Sequence, residues 1–201
     1  MDAKTIKIEK EINPESVSPR IGGKSFLPQN TDWPVNPDGE HLCLIASIPL
    51  NFIEEQSSSA PSSNLFISVF STYNKEEYFL DLITYHGDED ELENIKSGFT
   101  KVIIHEKGDP RSESEIVIPS REIEVLNQIL EHEHTYTGSK IFGSPGLLQN
   151  EILKTGKSDF ILQLYGGDFP DEFQDIFYLS DAVGYLFMGE NGESIFFVQV
   201  T

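Results

Sequence analysis

The chain is poor in cysteine, tryptophan, methionine and basic residues. Its single cysteine, Cys43, excludes an intrachain disulfide. Cys43 lies in the apolar run Leu42-Cys43-Leu44-Ile45, which suits a small buried hydrophobe rather than a nucleophile. Lysine and arginine number 14 against 34 aspartates and glutamates, a formal net charge of −20. Nucleic acids are bound by basic patches that neutralise phosphates, and anionic membrane surfaces repel an acidic chain. Neither is therefore expected as a partner. No apolar stretch approaches the roughly 20 residues needed to cross a bilayer. Residues 1–20 are polar and charged, unlike a secretion signal, so the expected setting is a reducing cytoplasm. There is no nucleophile elbow, phosphate loop or dinucleotide fingerprint: Gly22-Gly23 and Gly166-Gly167 are too sparse to cradle phosphates. Their simpler use is positive φ or close backbone approach. No cofactor and no catalytic residue is implied.

What is present is core material. Fourteen Phe and seven Tyr are spread over 201 residues, and a chain of this length buries roughly 70% of its unfolded surface. Residues 1–19 are polar, with Pro14 and Pro19, and read as an N-terminal arm with a short strand at Thr5–Ile8. Residues 20–41 are punctuated by Gly and Pro and read as ordered loop. Leu42–Leu50 suits a buried strand, and 56–63 a loop rich in serine. Leu65–Phe70 and Tyr78–Tyr85 read as two strands joined by a polar turn. Asp88 to Gly98 has an acidic first turn, the pair Leu92 and Ile95, and a glycine stop, which is a short helix. Lys101–His105 is a further strand. Ser120 as N-cap, with Ile123, Leu126, Ile129 and Leu130 on one face, predicts a helix over 121–132. Asp159–Tyr165, Val183–Met188 and Ser194–Val200 read as strands, the last two a hairpin around Asn191-Gly192.

The sequence also repeats itself. Residues 21–30 and 141–150 align without gaps, with Ile21, Gly23, Leu27 and Gln29-Asn30 matching Ile141, Gly143, Leu147 and Gln149-Asn150. Each block precedes an apolar strand and then two more strands, 65–70 and 78–85 in one half, 183–188 and 194–200 in the other. The expected fold is α+β: a duplicated β-rich unit with mainly antiparallel strands and few helices. It forms a single domain over 20–201, with halves of about 20–105 and 140–201 joined by the helix near 121–132. Ser144-Pro145-Gly146 looks like a helix start with Gly156 as its stop. Pro28 falls inside the matching first-half segment and would break a helix there, so 142–150 is expected to be extended or looped.

These blocks carry a resemblance. Arg20-Ile21-Gly22-Gly23, Leu27-Pro28, Trp33-Pro34 and the strand Leu42–Leu50 resemble the opening of the YwqG-like family of bacterial proteins (domain of unknown function 1963). So do Gly143-Ser144-Pro145, Gln149, Phe160–Leu164 and Val183–Phe187. The resemblance spans about 20 to 201. It implies an α+β fold with a duplicated β-rich unit, and no activity, cofactor or catalytic residue. This chain departs from the family pattern at Ser47, where the family usually has Gln in the first apolar strand. The departure puts in doubt any role that needs two equivalent glutamines.

Candidate chemistry is sparse. His132 and His134, two residues apart, diverge on a helix and cannot share a metal there. Asp168–Asp175 is oxygen-rich but lacks the spacing of a calcium loop; it reads as a solvated loop holding two buried phenylalanines. Asp88–Glu93 reads as a solvated helix face. No metal site is expected. The residues to watch for binding are Gly22, Gly23, Trp33, Pro34, Gly143, Pro145, Gln149 and Gln163. Gln163 stands out because an amide inside an apolar strand must find partners. The function expected is a non-enzymatic binding or interaction module. One alternative is an acidic inhibitor or immunity protein for a basic toxin, since opposite charge speeds association. The other is a small-molecule or metal-dependent enzyme with its site at the seam between halves. A basic protein is the partner that the charge suggests.

Overall fold

The structure is a computed structural model that describes residues 1–56, 64–149, 153, 157–189 and 193–200, with only the backbone of Asn127. Of the loop expected over 56–63, Gln56 instead ends a helix and the rest lies outside the described residues, as do the Gly156 stop and the turn at Asn191-Gly192. The elements in chain order are β1 (Lys4–Lys7), β2 (Arg20–Ile21), β3 (Cys43–Pro49), α1 (Leu50–Gln56), β4 (Leu65–Ser71), α2 (Leu80–Ile83) and α3 (Glu89–Asn94). They continue with β5 (Thr100–Glu106), β6 (Arg121–Glu122), β7 (Glu124–Ile129), β8 (Lys140–Ile141), β9 (Ser158–Tyr165), β10 (Val183–Gly189) and β11 (Ser194–Gln199). The fold is a β-rich α+β arrangement of two sheets.

One sheet has the order β11-β10-β9-β8-β1-β7 and the other β5-β4-β3-β2-β6, with antiparallel neighbours throughout. The two orders run alike through a four-strand meander, to which strands from elsewhere in the chain are added: β1 and then β7 in the six-stranded sheet, β6 in the five-stranded one. The registers correspond too. Arg20 pairs with Ser47 and Ile21 with Ala46; Lys140 pairs with Gln163 and Ile141 with Leu162. The contributed strands are exchanged. β1 precedes β2 in the chain but lies beside β8, whereas β6 precedes β8 but lies beside β2. β1 and β7 pair with each other, and the pairing runs on through Glu11 opposite Arg121 and the bond from Ile12 N to Ser120 O at 3.1 Å. A single two-stranded ribbon is thus shared by both sheets.

Side-chain alternation separates an inner face from an outer face. On β4, Ile67 and Val69 enter the large core between the sheets, while Phe70 joins a smaller outer cluster with Leu27, Trp33, Leu42 and Leu44. On β10, Leu186 faces the shared core, while Val183, Tyr185 and Phe187 join an outer cluster with Tyr85 and Phe197. Each fully buried Phe or Leu in these layers contributes about 1.5–3 kcal/mol. The sheets also meet edge to edge, where the Thr100 hydroxyl donates to Phe196 O at 2.6 Å.

Three expectations need correction. The residues 121–132 are not a helix but β6 and β7. Ile129 on the supposed apolar face is 60% exposed, so no core waited for that face, and pairing with β1 and β2 overrides the helical spacing. Residues 78–85 are not a strand: α2 occupies Leu80–Ile83, and the buried pair Phe79 and Ile83 has the i, i+4 spacing of one helical face. The third strand of the first half is β5 instead. The N-terminal arm is not an appendage, because β1 lies inside the six-stranded sheet and Ala3, Ile6 and Ile8 are buried. Other expectations hold. Residues 142–149 carry no helix, α3 stands where the acidic helix was expected with Asp88 capping Asp90 N, and Cys43 is 2% exposed. Burial pushes the Cys43 thiol up to about 12, which suits a hydrophobe and not a nucleophile.

Candidate functional site

The residues singled out by sequence fall into two clusters, each on the outer face of its own sheet. Gly22, Gly23, Trp33 and Pro34 belong to the loop that covers the five-stranded sheet. Gly143, Pro145, Gln149 and Gln163 belong to the six-stranded sheet and the loop over it. The structure does not bring the two sets together.

On the six-stranded sheet, Lys140, Gln163 and Tyr185 form one cross-strand row. Phe142 (φ 60°) and Gly143 (φ 71°) turn the chain over that row. Gly143 is required there: a Cβ would lie 1.7 Å from a Glu133 carboxylate oxygen and 2.6 Å from Ala3 Cβ. The fully buried Gln163 uses its whole amide. Nε2 donates to Tyr136 O at 2.9 Å and Gly138 O at 2.7 Å, and Oε1 accepts from Gly146 N at 2.9 Å. The Tyr185 hydroxyl donates to Gly146 O at 2.7 Å. Gln149 Nε2 donates to Val200 O at 3.2 Å, tying the loop to the end of β11. Lys140 is fully buried and its ammonium donates to Glu133 O. Burial drives the Lys140 pKa down to about 8, opposed by the Glu133 charge. This face is closed by hydrogen bonds, and Gln163 is the bolt.

On the five-stranded sheet, Gly22 (φ 58°) and Gly23 (φ 75°) make the corresponding turn. A Cβ on Gly22 would stand 2.5 Å from Ile118 O. Trp33 is buried as an anchor, its Nε1 donating to Leu42 O at 2.9 Å and its ring set edge-on to Phe70 at 5.0 Å. The Pro34 carbonyl accepts from Leu42 N at 3.0 Å. Beneath the loop runs a directed chain of polar groups. His105 Nδ1 lies 2.8 Å from Glu106 O, a carbonyl that only accepts, so Nδ1 carries the proton and Nε2 accepts from Ser68 Oγ at 2.9 Å. Ser25 Oγ is 2.9 Å from Ser68 Oγ and itself accepts from Leu27 N at 3.1 Å. Burial lowers the His105 pKa. Ser68 and His105 have the spacing of a nucleophile and its base, but Ser25 and Ser68 are both fully buried. The chain clamps the loop to the sheet.

Beside this chain sits Arg20, cross-strand neighbour of Ser47, which is in turn paired with Ser68. Arg20 is fully buried. Its Nη2 donates to Pro14 O at 3.2 Å and to Lys24 O, and its guanidinium carbon lies 5.3 Å from the centre of the Phe26 ring. Among the described residues Nε and Nη1 have no hydrogen-bond partner, nor do the buried hydroxyls of Ser47 and Ser120. Burial pulls the guanidinium pKa down to about 10. At one end of the same face opens a cleft of about 710 Å³. It is lined by the apolar Val17, Pro49, Leu65 and Phe66 and by the polar Asn51, Asn64, Glu106 and Lys107. Lys107 Nζ lies 5.2 Å from the centre of the Phe26 ring that Arg20 also covers.

Sequence reasoning missed Arg20, Ser25, Ser68, His105 and Lys140, and noted Ser47 only as a departure. One signal was available: the residue before each aligned block is basic, Arg20 in one and Lys140 in the other. His132 precedes a three-residue turn of 3-10 helix, Glu133–Thr135, and His134 lies inside it; both are exposed. Among the described residues no group of three or more His, Cys, Asp or Glu is placed to hold a metal, and no helix is long and apolar enough to cross a membrane. In 168–175 the two expected phenylalanines, Phe169 and Phe173, are buried.

The fold and its two loop-covered faces define a β-rich α+β protein with a closed polar face on one sheet and an incompletely satisfied one on the other. Residues 19–192 match a family described as Domain of unknown function (DUF1963), and the chain belongs to that family. No curated protein matches it.

Proposed function

We propose that this protein is a non-enzymatic binding module of the bacterial cytoplasm whose ligand surface is the outer face of the five-stranded sheet. The observation that carries this reading is the cleft of about 710 Å³ at the end of that face. Its size falls in the range of small-molecule sites, and its lining joins apolar side chains to polar groups that could orient a ligand. Phe66 offers a ring for packing, Asn51 and Asn64 offer amides, and Glu106 and Lys107 offer opposite charges. A metabolite library screened by thermal shift tests the reading. Ligands of this cleft raise the Tm of the wild type and lose that effect in Asn64→Ala and Lys107→Ala. A screen whose hits all survive both substitutions would place the ligand surface elsewhere.

We also propose that the chain arose by duplication of one β-rich unit. The parallel strand orders, the matching registers at Arg20/Ser47 and Lys140/Gln163, and the five identities between the aligned blocks support this.

A second reading rests on the charge. With a net charge of −20 and exposed carboxylates clustered at Glu89, Asp90 and Glu93, the protein suits inhibition of a basic protein, steered by its acidic field. Complex formation that weakens steeply between low salt and about 0.5 M salt supports this reading; salt-insensitive association counts against it.

A further inference from the structure

We infer that Arg20, Ser47 and Ser120 form a site for one small oxyanion, a carboxylate or phosphate group, enclosed between the five-stranded sheet and the loop that follows Gly22. This site is separate from the cleft and does not depend on it.

Arg20 has no exposed surface, and a buried cation is costly unless it is paired and its donors are filled. The two described acceptors of its hydrogen bonds are Pro14 O and Lys24 O, both neutral. The carboxylate across the ladder, Glu122, is held by Lys10 Nζ at 2.6 Å. The matching cation of the other sheet, Lys140, has the Glu133 carboxylate acting on it; desolvation alone acts on Arg20. The Phe26 ring covers the guanidinium, but Nε–H and the two Nη1–H bonds have no acceptor among the described residues.

The unfilled groups can all donate to one acceptor. Nε and Nη1 only donate, and the hydroxyls of Ser47 and Ser120 can rotate to donate or accept. Ser47 is the cross-strand neighbour of Arg20. Ser120 Oγ and the Pro14 carbonyl that Arg20 grips lie 3.0 Å and 2.9 Å from the point a Gly23 Cβ would occupy. Water could bridge these groups but would leave the guanidinium charge uncompensated, whereas an oxyanion accepts from every one of them and cancels the charge. A cluster of available donors around an uncompensated cation therefore fits an anion.

The full chain, labelled with ¹⁵N, tests this through the Arg20 Nε–H resonance. Sodium acetate and sodium phosphate are titrated separately, against sodium chloride at equal ionic strength. At least one oxyanion shifts the resonance saturably, and which one does so separates a carboxylate from a phosphate site. Ser47→Ala, which leaves the fold intact, weakens that binding about tenfold, the loss of one hydrogen bond to a charged group. Read at the backbone amide resonances of Gly22 and Gly23, Arg20→Gln abolishes it, and Lys107→Ala, in the cleft, leaves it unchanged. No saturable shift with either anion, or binding that Ser47→Ala leaves intact, would overturn the site. Loss of binding in Lys107→Ala would overturn it as well, by assigning the anion to the cleft.

Discussion

Lys140 and Arg20 hold the same place in their ladders, each opposite the first long strand of its meander, yet the space above them is closed in different ways. Above Lys140, Gln163 reaches the covering loop and fills three backbone groups, and Gly146 lies close enough to give both its N–H and its C=O to the network. Above Arg20, the position of Gln163 is taken by Ser47, too short to reach, and the aligned counterpart of Gly146 is Phe26, whose ring packs on Phe66 at 5.0 Å and on the guanidinium. One face is closed by directional bonds and saturated. The other is closed by aromatic packing, which fills volume without meeting donors. Two units of like topology thus close their outer faces by different physical means.

The contrast between the faces breaks most sharply at the amide. Gln163→Leu strands Gly146 N, Tyr136 O and Gly138 O in a buried site and lowers unfolding free energy by about 3–5 kcal/mol, read by urea denaturation. Ser47→Ala, at the matching place, changes it by less than about 0.5 kcal/mol. Equal effects at the two positions would show that the faces are built alike. Next come the covering turns. Gly143→Ala and Gly22→Ala each combine a strained positive φ with a clash and cost about 2–3 kcal/mol in the same assay. Trp33→Phe leaves Leu42 O without its donor and costs about 1–2 kcal/mol.

The buried cation sharpens the contrast through pH. The Lys140 pKa is about 8 in the folded chain, against 10.5 for an ordinary exposed lysine. Lys140 therefore binds fewer protons when folded across that interval, so stability rises with pH from about 8. Tyr73 and Tyr185, whose pKa values are raised by burial, reinforce that rise in neither direction below about 10 and reverse the slope above it, so the window to measure is about 8 to 10. Lys140→Met flattens it; an unchanged slope refutes the assignment. The smallest effect belongs to His105. Its lowered pKa keeps it neutral in the folded chain as pH falls through 6.5, so stability is lost on the acid side and His105→Gln reduces that loss. Chemical denaturation at stepped pH values reads both.

Much of the fold is legible along the chain. The strands at β3, β4, β9, β10 and β11 show as apolar runs because most of their residues are buried, and β5 shows through the half-buried run Val102-Ile103-Ile104. The acidic helix shows its cap and its paired Leu92 and Ile95. The segment 121–132 misleads because Ile123, Leu126, Ile129 and Leu130 keep helical spacing, while the partner that claims it, β1, lies far away in the chain. Tyr78–Tyr85 misleads because a run dense in apolar residues suits a strand or a short buried helix equally. At the candidate site, Gln163 is legible as an amide in an apolar strand. Arg20 and Ser47 are not, since a basic residue before a glycine pair and a serine in a strand are ordinary in sequence and become unusual only once buried without partners.

By itself the sequence determined the acidity, the single thiol, the β-rich α+β class, the family, and the two glycine turns that open each covering loop. These follow from composition, local pattern and short motifs, which act within a few residues. The tertiary structure alone decided the exchange of β1 and β6 between the sheets, the separation of the candidate residues onto two faces, and the burial of Arg20 beside hydroxyls that do not satisfy it. Each of these depends on which distant strands pair and on what those pairings exclude from water, and the energies of pairing and burial belong to contacts made across the whole chain.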